Sequence, residues 1–557
     1  MNTAAQPIAN GNRIAPETPV AGPVPQSIQP PPEPMSPARA AIYMAASLLL
    51  FLTQGLGMNL LNANLYQLQG SLSATTTEIA WLSAAYMAPY ASMSIALFKI
   101  RSQYGLRRFA ELSIVCFVFA SVLNLFVSDL HSATVVRFLS GMAAAPLSTL
   151  GFLYMLEAFP PARKLSVGIS LALMNTTLAA PIARIISPPL MELGGWHALY
   201  TFEMGLALIA LPVVYLLPLT APPRAKVIQK MDILSYLLLA IGFGCLAVFL
   251  TLGRLYWWFE APWLGVLLAG SIAALTMMVA LELPRKMPLI DLRWVFSKEN
   301  MHMAGILLLF RVVSSEQTTT AANFYMQLGL INDQTQTMYG VILMASIAGG
   351  FVCTVLMLTR YVETAHVLAL VLIATGAFLD SQSTSLTRPE QMYLSQAMVA
   401  AGAAMFLPPV MSRGFATAMA KGAPFLVNFL VIFLFTQSIG ALLAQAALGS
   451  FVTIREKFHS NVLVEHLLLT NPFVAQRVSQ LSSSYGKVMT DKALLNAEGL
   501  QLLGQQVTRE ANILAYNDTF LVIAIASAIS LVLLLGHLAW RWLIPHKAAA
   551  PTVAAPS

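Results

Sequence analysis

From about residue 40 onward, long apolar runs alternate with short polar connections. Their approximate limits are 40–62, 76–98, 108–128, 132–157, 165–190, 196–218, 231–252, 261–283, 301–325, 335–358, 363–380, 391–412, 423–453 and 517–541. A helix needs roughly 20 apolar residues to cross the hydrocarbon, and bundled helices satisfy their backbone hydrogen bonds internally. The pattern therefore predicts an all-α membrane protein with about fourteen transmembrane helices.

The polar connections carry a second signal. One alternate set holds Lys99, Arg101, Arg107 and Arg108; Arg163 and Lys164; Arg224, Lys226 and Lys230; Arg285, Lys286, Arg293 and Lys298; Arg360; Arg413 and Lys421; then Arg541 and Lys547. The other set carries little beyond Arg254 and Arg388. Lysine and arginine gather on cytoplasmic loops, so an even number of spans with both termini in the cytoplasm is expected.

Two regions depart from this rhythm. Residues 1–38 are rich in proline, as in "PVAGPVPQSIQPPPEP", and nearly free of large apolar side chains, which predicts a disordered tail. Residues 546–557 form a second short cytoplasmic tail. The outward segment 455–516 is polar but punctuated by apolar residues at helical spacing, with Leu495, Leu502, Leu503 and Val507 able to share a face. One or two amphipathic helices outside the membrane are expected there, forming a cap, a lid or a docking site.

Composition agrees with the pattern. Hydrophobic residues make up 57%, charged residues 10%, and the mean hydropathy is +0.71; a soluble domain has roughly 25% charged residues. The net charge of +7 is spread between apolar runs, so it reflects topology and not a nucleic-acid surface. Cys116, Cys245 and Cys353 lie inside apolar runs without CxxC spacing, so neither a disulfide nor a metal site is expected. "SSSYGKV" lacks the first glycine and the following Ser/Thr of a phosphate loop, and no HExxH or nucleophile elbow is present. No enzyme chemistry and no cofactor are expected; a solute carrier driven by an ion gradient is.

Charged residues within the runs are the candidate pathway. "RVVSSEQTTTAANF", Arg311 to Phe324, places a cation, a carboxylate and a row of hydroxyls and amides inside a span. At 1.5 Å per residue, Arg311 lies about half-way through the hydrocarbon, where charge survives by facing water, a partner or a ligand. Glu316 is about 140° further around the helix, so the two make a poor intrahelical pair. Gln317 and Thr318 to Thr320 extend the polar circumference, although such hydroxyls also bond their own backbone. Arg137 and Arg184 are further intramembrane cations, whereas Glu111 and Glu203 fall close to opposite membrane faces, where solvation is cheap. Three arginines against one well-buried carboxylate predict a cavity of positive potential, suited to an anion gripped by a forked pair of hydrogen bonds. Methionine- and phenylalanine-rich stretches such as "GAAMFLPPVM" would accept its apolar body.

Several motifs carry a family resemblance. "WLSAAYMAPYASMSIALFKIRSQYGLRRF", "VVRFLSGMAAA" and "EAFPPARKLSVGISLALMNTTLAAP" resemble spans 2 to 5 of the fourteen-spanning drug:proton antiporter branch of the major facilitator superfamily. "REKFHSNVLVEHL" and "VTREANILAYNDTF" are similar to the extracytoplasmic loop and last span of adaptor-linked bacterial multidrug pumps. The resemblance implies a bacterial-type inner-membrane protein with a six-helix half at 39–220, two inserted helices at 221–299 and a second half at 300–545, alternating access around a central cavity. It assigns Arg137 and Gly141 to the span-4 motif, Gly105, Arg107 and Arg108 to the span 2–3 loop, Pro181 to span 5 and Asn62 to span 1. Ser102 and Gly57 stand where the family has aspartates, Phe98 where it has a glycine, and Arg184 with Ile185 where it has paired glycines. Lipid, protons, a small-molecule substrate and a periplasmic adaptor are the partners implied.

The function expected is proton-coupled export of amphipathic or aromatic, anionic compounds, with Arg311 and Arg137 holding the cargo and Glu316 taking the proton and thereby loosening its hold on an arginine. An importer of organic anions on the same fold and a receptor without net transport are the alternatives.

Overall fold

The computed structural model describes residues 35–220, 224, 226–285, 288–359 and 361–543. Almost all of the two expected tails, together with Lys286, Arg360 and Lys547, lies outside the described residues. The long helices are α1 (Pro37–Ala63), α2 (Thr76–Tyr104), α3 (Leu106–Leu123), α4 (Leu130–Glu157), α5 (Ile169–Leu216), α6 (Lys230–Leu252) and α7 (Pro262–Glu282). They continue as α8 (Lys298–Ser315), α9 (Asn332–Leu358), α10 (Val362–Asp380), α11 (Tyr393–Lys421), α12 (Ala423–Glu465), α13 (Pro472–Ser483) and α14 (Lys492–Leu543).

Local sequence sets several boundaries. Thr75 accepts from the Glu78 backbone N–H at 3.3 Å while Glu78 accepts from that of Thr75 at 2.8 Å, a reciprocal cap that starts α2. Asp129 and Ser132 start α4 in the same way. Within α5 the helix breaks at Gly194 and Gly195; Gly195 has φ +59°, a conformation that a Cβ disfavours. The chain reverses there, so α5 is two arms, and the apolar runs 165–190 and 196–218 fall on one arm each.

Eleven helices among the described residues are long and apolar enough to cross a membrane, α5 counting as one. The more polar α2 and α8 fall outside that set. The run at 301–325 is not one regular helix: α8 passes into a wider π-helical turn over Glu316–Ala321 before closing as Ala322–Gln327.

Packing brings the helices into two groups. In the first, α1 lies against α4 and α5, α2 against α4, and α3 against α5; in the second, α10 lies against α11 and α14, α9 against α11, and α12 against α8 and α14. The groups meet where α5 contacts α9 and α11, and where α2 contacts α12. The pair α6 and α7 pack on each other, with α6 seated on α2 and α12. One end of the bundle is capped by α13 and the lower part of α14. The apolar face expected at 495–507 exists and packs on α13, where Gly499 approaches the Val478 carbonyl. It belongs, however, to the same continuous 52-residue helix as the last apolar run and is not a separate element.

Candidate transport pathway

Arg137 and Arg311 stand at opposite ends of an interior row. Arg137 on α4 is 1% exposed and donates from Nη1 to the Gly57 carbonyl at 2.9 Å. Its guanidinium sits 4.4 Å from the centre of the Tyr86 ring, a favourable cation–π geometry. Tyr86 stacks on Tyr90 at 5.9 Å, and Tyr90 interacts electrostatically with Arg311 on α8. Gly141 makes this row possible: a Cβ there would lie 2.1 Å from the Tyr86 carbonyl, so α4 and α2 touch backbone to backbone.

Arg311 differs from Arg137 in having nothing to hold. Its Nε is buried without a partner, and the guanidinium makes no hydrogen bond or ion pair among the described residues. Gly440 on α12 lies beside its aliphatic stem. Ser314 and Ser315 do not contribute to a polar surface as fully as the sequence suggested, because both donate to the Arg311 carbonyl one turn back.

Glu316 faces the other way, into a buried acid pocket. Its Oε1 accepts from Gln396 Nε2 at 2.8 Å, and the same nitrogen donates to Asp380 Oδ2 at 2.7 Å. Ser395 donates to the other Asp380 oxygen. Glu316, Gln396 and Asp380 are 0%, 0% and 1% exposed, and the pair of carboxyls has no cation within ion-pair distance among the described residues. Glu316 Oε2 and the Tyr325 hydroxyl have no partner either. Burying unpaired charge of this kind is costly. Gln317 closes the pocket by donating to the Gln396 carbonyl at 3.1 Å. The expected hold of Glu316 on an arginine is thus replaced by a hold on an amide.

Arg184 joins the two groups of helices. Nη1 donates to Asn332 Oδ1 at 3.0 Å, and the guanidinium lies 5.5 Å from the Tyr339 ring centre. Asn332 in turn donates to the Ala63 carbonyl and to Asn64. Asn62, the span-1 candidate, accepts from Ser83 at 2.7 Å and ties α1 to α2. Pro181 is buried in the first arm of α5. At the end opposite the cap, Gly105 (φ +88°) closes α2 against Arg224, while Arg107 and Arg108 are exposed and Arg107 pairs with Glu111 at 2.9 Å. These last residues therefore lie away from the interior row and the acid pocket.

The charge balance expected from the sequence changes. Glu203 is 3% exposed rather than solvated, and Asp380 joins Glu316, so the three arginines are matched in number by three buried carboxyls. Asp380 and Gln396 were not legible as site residues: Asp380 marks the edge of an apolar run, and Gln396 is a single amide within another. The π-turn has no sequence signature beyond the polar run itself.

The Major Facilitator Superfamily model matches residues 47–445. The chain belongs to that superfamily. Its members are transporters and not enzymes, and its similar proteins fall in the multidrug-export branch. Among them, the fatty acid resistance protein FarB of Neisseria gonorrhoeae is 25% identical over 273 residues, covering 48% of this chain and 52% of that protein. The multidrug export protein EmrB of Escherichia coli K12 is 24% identical over 265 residues, covering 47% and 50%. The chain spans about half the length of the curated relatives it matches. Solved superfamily structures share the fold: a bacterial homologue of the human drug peptide transporters PepT1 and PepT2 aligns with a TM-score of 0.52 at 12% identity, over 91% of this chain and 100% of that one. The human organic anion transporter MFSD10 gives 0.51 at 11%, over 88% and 100%.

Proposed function

We propose that this superfamily member is a proton-coupled exporter of amphipathic, aromatic or aliphatic compounds bearing an anionic group. It crosses a bacterial-type inner membrane fourteen times, with both termini cytoplasmic and the α13–α14 cap on the periplasmic side, where an adaptor would dock. The halves 39–220 and 300–545 alternate, and 221–299 is the inserted pair. The names of the similar export proteins support the direction, and the basic residues Lys99, Arg107, Arg108 and Arg285, all at the end opposite the cap, support the orientation.

One observation carries the reading. On one composite helix, Arg311 has no carboxylate, while five residues on Glu316 shares an amide with Asp380 and has no cation. The bundle thus keeps an anion-seeking group and a proton-seeking group apart, each completed by a ligand from outside the chain. A carboxylate at Arg311 gains forked, charge-assisted hydrogen bonds at a half-buried guanidinium. A proton on the acid pocket removes a buried like-charge contact. For export, the two ligands favour opposite arrangements of the halves, and the π-turn that begins at Glu316 is the segment that changes.

The same placement also favours a second reading. An anion at Arg311 and a proton at Glu316 attract each other, which by direct electrostatics suits their moving together, as in an importer of organic anions. Inverted vesicles with an acidic lumen distinguish the two. Decanoate, salicylate and tetraphenylphosphonium are added outside in turn. Relative to vesicles without the protein, which correct for passive entry of the neutral acids, export predicts that decanoate or salicylate makes the lumen more alkaline; movement with the proton predicts further acidification, and no protein-dependent pH change refutes proton coupling.

A further inference from the structure

A third buried carboxyl is used by neither site. Glu203 on the second arm of α5 points at α1 opposite Gly57, where a built Cβ would stand 2.6 Å from Oε1 and 3.1 Å from Cδ. The absence of a side chain at position 57 is what admits the carboxyl. It is 3% exposed and makes no hydrogen bond or ion pair among the described residues. The groups facing it are Arg137 from α4, which interacts with it electrostatically without reaching ion-pair distance, Tyr86 from α2, and Tyr200 on its own helix. From α1 it meets the Gly57 backbone, whose carbonyl is the one that Arg137 grips. His197, the nearest other titratable residue along its helix, is exposed and stacks on Trp196.

Glu203 also borders open space. A narrow cavity of about 10 Å³, lined by Gly57, Leu60, Leu68, Trp196, Tyr200 and Glu203, lies beside the carboxyl. That is the lower limit of the space one water needs. Trp196 follows the Gly194–Gly195 reversal and Leu68 follows α1, so the cavity points toward the capped end.

We propose that Glu203 is a second proton-binding carboxyl, loaded from the capped end through the Trp196–Tyr200 cavity, whose charge state sets how firmly Arg137 holds the Gly57 carbonyl of α1. Ionised, it competes with that carbonyl for the guanidinium; protonated, it leaves Arg137 to the carbonyl and the Tyr86 face. A proton arriving from the capped end is thereby felt at the Arg137 end of the aromatic row, in the group of helices opposite the Glu316 pocket. The inference rests on proton-coupled transport by this chain.

Its test exploits the shared volume at position 57. In inverted vesicles with an acidic lumen, Glu203→Gln is expected to reduce the decanoate- or salicylate-dependent pH response about tenfold or more, while counterflow of the labelled compound without a pH gradient continues. Glu203→Ala alone is expected to behave likewise, and Glu203→Ala/Gly57→Asp, which returns a carboxyl to the same space from α1, restores the response. An undiminished response in Glu203→Gln overturns the proposal. So does loss of both pH response and counterflow with no rescue by Gly57→Asp, which assigns Glu203 to structure alone. If the wild-type protein exchanges the compound without any pH response, the proton-coupled reading itself fails, and the continued counterflow identifies that outcome.

Discussion

Arg184 Nη1 donates to Asn332 Oδ1 at 3.0 Å, joining the first arm of α5 to the start of α9 across the two groups of helices. The Tyr339 ring under the guanidinium and the bonds from Asn332 to Ala63 and Asn64 extend the contact into a clamp. Arg184 thus ties α5 and α1 to α9 through one residue, Asn332.

Removing the clamp favours the arrangement open at the capped end. A hydrogen bond to a charged group is worth about 1.5–3 kcal/mol, which shifts a two-state population by about tenfold or more. Arg184→Ala is therefore expected to speed alkylation of a cysteine placed at buried Ser187 by a bulky maleimide supplied from the capped side. Equal rates with and without Arg184 would show that the contact closes nothing.

Gln396 is the hinge of the acid pocket, because a single nitrogen serves Glu316 and Asp380. Gln396→Leu removes both bonds and leaves two buried carboxyls facing each other, at an expected cost of about 1–3 kcal/mol in stability for each oxygen left unsatisfied. Thermal unfolding in detergent measures this directly. Gln396→Glu, which adds a third carboxyl in place of the donor, is expected to be worse than Gln396→Leu; the reverse order would mean that the pocket holds a cation.

The helical skeleton was readable from the chain because hydrophobic runs of span length have few alternatives in lipid. The arms of α5 separate at the very glycines between two runs, and in the apolar face at 495–507 Val507 is buried while Leu495, Leu502 and Leu503 are half-buried. Arg137, Arg311 and Glu316 were also legible, since charge within an apolar run stands out. Their partners were not. Asp380 and Glu203 sit where a sequence reading places the membrane edge, yet neighbouring helices bury them. Depth along a helix follows from residue number; enclosure depends on which helices come alongside, and only the assembled bundle decides that.

Arg311 is expected to discriminate by shape as well as charge. Arg311→Lys keeps the cation but loses the planar fork, so binding of decanoate or salicylate should weaken by about tenfold, the worth of one of two charge-assisted hydrogen bonds. Arg311→Gln should weaken it further, while tetraphenylphosphonium, which offers no acceptor, should not bind less well to either variant. Equilibrium dialysis with labelled compounds checks the order. Equal affinity of wild type and Arg311→Gln for both anions would remove Arg311 from the cargo site.

At the opposite end, Arg285 secures the α6–α7 pair. It donates to Glu282 Oε1 at 2.5 Å, Asp232 Oδ1 at 2.6 Å and Gln229 Oε1 at 3.0 Å, and Lys99 from α2 completes the network with Asp232 at 2.9 Å. The Glu282 side chain is fully enclosed, also accepting from Ser235 and the Leu289 backbone N–H. Asp232 retains Lys99 if Arg285 is lost, but among the described residues Glu282 has no second cation. Breaking a buried pair from one side costs about 3–5 kcal/mol, since it strands a charge. Arg285→Ala should therefore lower the unfolding temperature, and Arg285→Ala/Glu282→Gln, which removes the stranded charge, keeps an acceptor for the Leu289 N–H and lets the new amide donate to the Ser235 hydroxyl, should lower it less. That inverted order, with two substitutions milder than one, separates an electrostatic latch from simple loss of packing; a double variant less stable than Arg285→Ala would rule the latch out.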